Sequence, residues 1–134
     1  MTPIPITTLF IGMAALIQIP LTVMVGYRRL KTDIHFLDGG DVILLRRMRA
    51  HANFTETVPI VLIAMASSEL SGLSPWLLWL GGASLGVGRL VHAGTLVMFG
   101  WAPTRALGML LTFLPMLGFG AWSLVKAVEI VYGL

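Results

Sequence analysis

The sequence predicts an all-α integral membrane protein whose single domain, residues 1–134, forms a four-helix bundle. The chain is 57% hydrophobic and only 11% charged, with a mean hydropathy of +0.90. A soluble domain of this size could not bury so much apolar surface in one core. A helical span needs about 20 apolar residues. Four stretches qualify or nearly qualify, at about 6–26, 42–67, 75–98 and 104–128.

Composition also excludes several classes of function. The chain has no cysteine, which excludes a disulfide framework, a cysteine metal site and catalysis by a thiol of its own. Its three histidines are scattered without ligand spacing, so no metal site is expected. Six of the nine basic residues lie between Arg28 and Arg49. Because no soluble basic module carries them, they indicate membrane topology rather than nucleic-acid binding.

The first predicted span, about 6–26, is interrupted by Pro20. Proline lacks the backbone N–H and crowds the preceding turn, so a kink is expected there. The basic residues Arg28 and Arg29 follow the span, and a Gly-Gly pair at 39–40 then signals a turn in a polar loop.

The second predicted helix, about 42–67, follows Asp41, a residue type that is favoured as an N-cap. It is longer than the bilayer requires, so its first turns are expected to project into the head-group region. The third helix, 75–98, begins with Pro75, whose fixed φ suits a first helical turn. The fourth helix is predicted at about 104–128.

Small residues are concentrated in the third helix. Gly82 and Gly86 stand four residues apart, a spacing that lets two helices approach closely. The pair therefore indicates either a face for association with another helix or ordinary small residues of a transmembrane segment.

Positive charge sets the expected orientation in the membrane. The loop between the first two spans is strongly basic, and Arg105 lies on the same side of the membrane as that loop. The turn after the second span carries only Glu69. The excess of Lys and Arg in cytoplasmic loops predicts that the basic connections face the cytoplasm and that both termini lie outside it.

A polar column is predicted on the second helix. Arg46, Arg49, Asn53 and Glu56 stand at i, i+3, i+7 and i+10, which places them on one face. A carboxylate at membrane depth is costly without a partner. Arg89, deep in the third span, is the predicted partner of Glu56, in a contact that could serve as a structural clamp and as a wall of a site.

Other polar residues have two interpretations each. Asn53 is explained by interhelical hydrogen bonding. His92 is either a hydrogen-bonded core residue or a direct participant in chemistry, and it shares a face with Arg89. His35 and His51 are expected at the surface.

The arginines at the ends of the spans also have two interpretations. Arg28, Arg29 and Arg105 could each reach lipid phosphates from a helix end. Together, the arginines at the cytoplasmic ends of the helices could instead form a pocket for a ligand with several negative charges.

Three segments resemble one known family. Residues 49–59, Arg-Ala-His-Ala-Asn-Phe-Thr-Glu-Thr-Val-Pro, resemble the signature of the MAPEG family, the membrane-associated proteins in eicosanoid and glutathione metabolism. Residues 88–92 and 103–107 resemble two further family segments in the right order. The resemblance covers nearly the whole chain and is specific because three separated motifs coincide. The short bacterial members of the family are the most similar.

The resemblance implies a homotrimer of four-helix protomers, in a bacterial inner membrane, that binds glutathione as a cosubstrate between protomers near the cytoplasmic side. It places glutathione-binding residues at Arg28 or Arg29, Arg49, Asn53, Glu56, Arg89 and His92. It places Arg105 on the catalytic arginine that stabilises the glutathione thiolate. A nearby cation favours the thiolate over the thiol. The thiolate would then attack a lipophilic electrophile that arrives from the bilayer.

Departures from the family pattern narrow the expected activity. Leu96 stands where several members carry a tyrosine, and Ala106 stands where prostaglandin E synthases carry a serine. Prostaglandin synthesis is therefore not expected. The sequence predicts a membrane-bound glutathione transferase, with peroxidase chemistry as an accompanying reaction. The alternatives are a non-catalytic membrane binder or scaffold for glutathione or anionic lipid, and a small transporter, although no inverted repeat supports transport.

Overall fold

Four long helices account for most of residues 3–133, the part of the chain that the computed structural model describes. Helix α1 spans Pro5–Thr32, α2 spans Val42–Leu70, α3 spans Pro75–Met98 and α4 spans Thr104–Tyr132. No strand occurs within the described residues. The all-α, four-helix prediction is confirmed, and each helix contains one of the four apolar stretches.

The four helices are not equally apolar. Within residues 3–133, α1 and α4 are long and apolar enough to cross a membrane. The other two helices do not reach that level, because α2 carries polar residues such as Asn53 and Glu56 beyond its first arginines, and α3 contains Arg89 and many glycines. The structure thus supports two of the four predicted spans by composition, and the crossing of α2 and α3 stays a prediction.

The core lies between α2 and α3, with α1 packed against α2 and α4 packed against α3. Val61 and Met65 of α2 are completely buried, and Leu78 of α3 is almost completely buried. The outer faces of α1 and α4 instead expose large apolar side chains such as Leu16 and Leu117. Exposed apolar surface of this extent would be unfavourable in water and matches a lipid environment.

The predicted glycine pair of α3 separates into two different environments. Phe10 of α1 lies over Gly82 and leaves no room there for a Cβ atom, whereas a Cβ at Gly86 would meet nothing within 4 Å. Gly82 therefore serves packing within the chain. A close approach of two helices occurs instead between Gly88 of α3 and Gly108 of α4, where a Cβ on Gly108 would lie 2.8 Å from the Gly88 carbonyl oxygen.

The N-terminus of α1 is capped by a residue that is distant in sequence. The backbone N–H groups of Ile6 and Thr7 donate to the Glu69 carboxylate at 3.0 and 2.8 Å. The first N–H groups of any helix lack partners within the helix, and Ile4, at the N-cap position of α1, makes no side-chain cap. Glu69, in the last turn of α2, therefore supplies the missing acceptors and ties the two helix ends together.

Glu69→Ala is expected to lower the free energy of unfolding by about 1 kcal/mol, the usual value of an N-cap. Burial alone would raise the pKa of Glu69, but the hydrogen bonds from Thr7 and Ile6 outweigh it and lower the pKa below its ordinary value of 4.5. The stabilisation is therefore complete above about pH 4.5 and is lost as the pH falls below that value. Thermal unfolding in detergent should show the difference from wild type shrinking as the solution is acidified. A difference independent of pH would contradict the capping role.

Candidate binding site at the basic end of the bundle

Six of the seven arginines lie at one end of the bundle, which we call the basic end. There α1 and α3 finish while α2 and α4 begin, because short connections make consecutive helices antiparallel. The guanidinium of Arg46 in α2 lies against Gly100 in the α3–α4 connection, and Arg47 donates to the Met24 carbonyl of α1 at 2.8 Å. The basic end comprises Arg28, Arg29, Arg46, Arg47, Arg49 and Arg105.

Arg28 stabilises the start of α2. Its Nη2 and Nε donate to Asp41 at 2.6 and 3.2 Å, and Asp41 in turn accepts from the Leu44 N–H at 2.6 Å. Asp41 is therefore the N-cap of α2, as predicted. The hydrogen bond from Arg28, together with the one from Leu44, holds the pKa of the Asp41 carboxyl below its usual range.

Arg29 forms hydrogen bonds with the α1–α2 loop. Its Nη1 donates to the carbonyl oxygens of Ile34 and Leu37, both at 3.0 Å, and its Nη2 lies 3.4 Å from the sulfur of Met48. The family resemblance placed either Arg28 or Arg29 on a glutathione position. In this chain both guanidinium groups already have partners that stabilise the fold, so a ligand would have to compete with those partners for either of them.

Among the arginines of the basic end, Arg49 and Arg105 are the exposed ones. Neither forms an ion pair or a side-chain hydrogen bond within residues 3–133, where the ion pairs are those of Arg28 with Asp41, His35 with Asp33, and Lys126 with Glu129. Two guanidinium groups without a carboxylate partner can bind an anionic ligand without first breaking a contact of the protein.

Arg89 lies deeper, between α2, α3 and α4, and is only 2% exposed. Its Nη1 donates to the Asn53 side-chain oxygen and to the Thr57 hydroxyl, the latter at 3.2 Å, and its Nη2 donates to the Gly108 carbonyl oxygen at 3.1 Å. Glu56 is exposed and forms no ion pair or hydrogen bond with Arg89 within the described residues. Arg89 is thus held by neutral oxygen atoms.

The predicted Glu56–Arg89 clamp is therefore wrong within the chain. At about 100° per residue, Asn53 and Thr57 point towards α3, and Glu56 lies to the other side of Asn53 on the helical wheel. The predicted common face of Arg49, Asn53 and Glu56 remains, but it lies at the edge of the α2–α3 contact. Asn53 is half-buried there, whereas Arg49 and Glu56 are exposed.

His92 follows Arg89 by one turn and is equally buried, at 2% exposure. Its backbone and Cβ pack against Gly108, and its Nε2 has no hydrogen-bond partner among residues 3–133. The structure therefore places His92 behind the basic end rather than on its surface.

Two contacts were not predicted from the sequence. Thr57 joins Asn53 on Arg89, and the i, i+4 spacing of these polar residues on α2 is a signal that could have identified it. Gly108 supplies a backbone carbonyl, for which no side-chain signal exists.

His51, expected at the surface, is half-buried instead, because its Nε2 lies 2.8 Å from Gln18 Nε2 of α1.

Comparison with known proteins identifies one family and two similar proteins. The sequence profile of the MAPEG family matches residues 7–125. The inner membrane protein YecN of Escherichia coli strain K12 is 29% identical over 87 residues, which cover 65% of this chain and 66% of that protein. YecN of Escherichia coli O6:H1 matches with the same identity and coverage. The chain thus aligns with slightly less than two thirds of the length of these relatives.

Proposed function

We propose that this chain, which belongs to the MAPEG family, is a membrane-bound glutathione transferase that joins the glutathione thiolate to lipophilic electrophiles. Peroxidase chemistry on lipophilic hydroperoxides is proposed as an accompanying reaction. The observation that carries the proposal is that two exposed arginines of the basic end, Arg49 and Arg105, lack carboxylate partners within residues 3–133. Exposed apolar side chains lie close to both arginines in the sequence, among them Leu45 and Leu107, and a lipophilic substrate could approach along them.

Glutathione suits the basic end because it carries two carboxylates, one amine and one thiol. In the proposed arrangement, Arg49 binds a carboxylate, while Asn53 and Glu56 bind other polar groups along the same face of α2. Arg105 lies near the sulfur, where its charge favours the thiolate over the thiol. The protein itself contributes no thiol, since it has no cysteine.

Arg89 supports this site rather than binding the ligand directly. Its hydrogen bond fixes the side-chain oxygen of Asn53, so the Asn53 amide nitrogen remains available to a ligand. We therefore treat Arg89 as a positioning residue. His92, one turn further along α3, contributes through its packing against Gly108, whose carbonyl oxygen Arg89 contacts.

A homotrimer in the inner membrane, with both termini outside the cytoplasm, forms part of the same proposal. Glu56 is exposed on a helix that is otherwise uncharged at this depth. An unpaired carboxylate facing lipid is costly, which supports a contact of this face with another copy of the chain. The relatives that align with the chain are named as inner membrane proteins.

A non-catalytic binder of anionic lipid is the second candidate. The observation in its favour is that the exposed arginines are accompanied by the exposed aromatic side chains of Phe99 and Trp101 at the α3–α4 connection. Aromatic and cationic residues together are typical of the head-group region. Transport has no such support, because the polar pathway that it required between Glu56 and Arg89 is absent from the described residues.

The test of the proposal is glutathione binding by the purified protein, followed by conjugation of a generic electrophile. Arg105→Leu is expected to retain most binding but to raise the pKa of the bound thiol by about one unit, which corresponds to about 1.4 kcal/mol. Arg49→Leu is expected to weaken binding itself about tenfold, because it removes a contact present in both thiol and thiolate states.

Calorimetry measures the affinity, and thiolate absorbance measures the pKa of the bound thiol. If wild-type protein binds no glutathione at millimolar concentration, the transferase proposal is wrong and the lipid-binding candidate replaces it. If Arg105→Leu leaves the pKa of the bound thiol unchanged, the catalytic assignment of Arg105 is wrong although binding stands.

A further inference from the structure

A small cleft opens at the basic end, between the α1–α2 loop and one face of α2. Its volume is about 320 Å³. The α2 side is formed at i, i+3, i+4 and i+7, so these residues share one face of the helix. The complete lining is Leu37, Asp38, Leu45, Met48, Arg49 and Ala52.

The two charged residues of the cleft have opposite signs and do not pair with each other. Arg49 forms no ion pair within the described residues, and Asp38 forms none either. One Asp38 carboxylate oxygen accepts from the Gly40 N–H at 3.3 Å, and the other has no hydrogen-bond partner among residues 3–133. A cation and a carboxylate that face one cleft while remaining separate are complementary to a ligand that carries both charges.

The loop that carries Asp38 is held in place. Leu37 has a φ of 53°, a left-handed conformation that is unfavourable for a branched side chain. The Leu37 carbonyl oxygen accepts from Arg29, and the Asp38 carbonyl oxygen accepts from the Asp41 N–H at 2.8 Å. These contacts keep the Asp38 carboxylate at the cleft. The Arg29 guanidinium therefore stabilises the loop that carries Asp38.

We propose that this cleft binds the α-amino-acid end of the γ-glutamyl group of glutathione, with Asp38 accepting from the α-ammonium and Arg49 donating to the α-carboxylate. The assignment rests on the proposed function and adds a residue that determines specificity. The two ligand charges are attached to the same carbon atom, so they require two protein charges at one cleft.

Glu56 does not meet this requirement as well as Asp38. Glu56 follows Arg49 by seven positions on α2, which is about 10 Å along the helix axis. Glu56 does not line the cleft. Asp38 is therefore assigned to the ammonium, which leaves Glu56 for a more distant group or for a contact with another copy of the chain.

The assignment is tested with the full-length protein in detergent and two ligands. One is glutathione, and the other is glutaryl-cysteinylglycine, which is the same molecule without the α-amine. Wild type is expected to bind glutathione about tenfold more tightly, the value of one charge-assisted hydrogen bond. Asp38→Asn should lose this preference, because the substitution weakens the binding of glutathione and leaves the binding of the analogue unchanged. The matched control is Asp33→Asn, an acid of the same loop whose side chain is 93% exposed and pairs with His35; it should keep the preference.

Each other result overturns the assignment. An Asp38→Asn protein that retains the tenfold preference shows that the ammonium binds elsewhere, although the transferase proposal stands. Should that variant fail to fold, a wild type that binds both ligands equally overturns the assignment by itself. Wild type that binds neither ligand removes the transferase proposal as well. Displacement of glutathione by nanodiscs containing phosphatidylethanolamine, but not by nanodiscs of phosphatidylcholine, would assign the cleft to a lipid head group instead.

Discussion

Asn53→Leu is expected to lower the free energy of unfolding by about 2 kcal/mol, because it removes a hydrogen-bond acceptor from the buried guanidinium of Arg89. Interhelical hydrogen bonds between neutral groups in membranes average only about 0.6 kcal/mol. This bond is charge-assisted, and Arg89 is almost completely buried, so a larger value is expected. The remaining acceptors, Thr57 and Gly108, cannot replace the lost one without moving α2 or α4.

A double-mutant cycle identifies the partner of Arg89. Asn53→Leu combined with Arg89→Leu should cost clearly less than the sum of the single changes, since the second substitution removes the stranded charge. Glu56→Gln combined with Arg89→Leu should instead be additive to within about 0.5 kcal/mol, because these side chains do not touch. Unfolding in mixed micelles provides the free energies. Strong coupling between Glu56 and Arg89, with none between Asn53 and Arg89, would restore the clamp that the sequence suggested.

Gly108→Ala is expected to destabilise the protein by about 3 kcal/mol, the upper part of the range for overpacking. The new methyl group would lie 2.8 Å from the Gly88 carbonyl oxygen and from the His92 backbone nitrogen. Backbone atoms cannot turn aside as a flexible side chain can, so α3 and α4 would have to separate. Their separation would also displace the Gly108 carbonyl oxygen from Arg89.

The matched control is Gly86→Ala, on α3 just over half a turn before Gly88. A Cβ at Gly86 meets nothing within 4 Å, and alanine is the better helix former by about 0.5–1 kcal/mol. Gly86→Ala should therefore be neutral or stabilising within the protomer, the opposite sign from Gly108→Ala. Equal losses at both positions would show that the destabilisation does not come from the α3–α4 contact.

Much of the secondary structure follows from local patterns. Four long apolar stretches predicted four helices, and the boundaries of α3 at Pro75–Met98 coincide with the prediction because proline and glycine mark both of its flanks. Asp41 was predicted as the N-cap of α2 and accepts the Leu44 N–H. The helices and their N-caps could be predicted because helix periodicity and capping preferences depend only on residues that are close in sequence.

Local sequence patterns were enough to predict an all-α protein, with six of its seven arginines at one end and a polar face on α2 that contains Arg49, Asn53 and Glu56. Only the tertiary structure decided which neighbour each polar residue contacts. Helical periodicity shows which residues share a broad face of a helix, but not which of them contacts a given neighbour. Asn53 and Glu56 share such a face of α2, and only Asn53 accepts a hydrogen bond from Arg89. The cap that Glu69 makes on α1 joins residues more than 60 positions apart, and no local pattern records such a contact. The packing of one helix against another determines which side chains meet, because it sets the distances between residues of different helices. The order of residues along a single helix does not fix those distances.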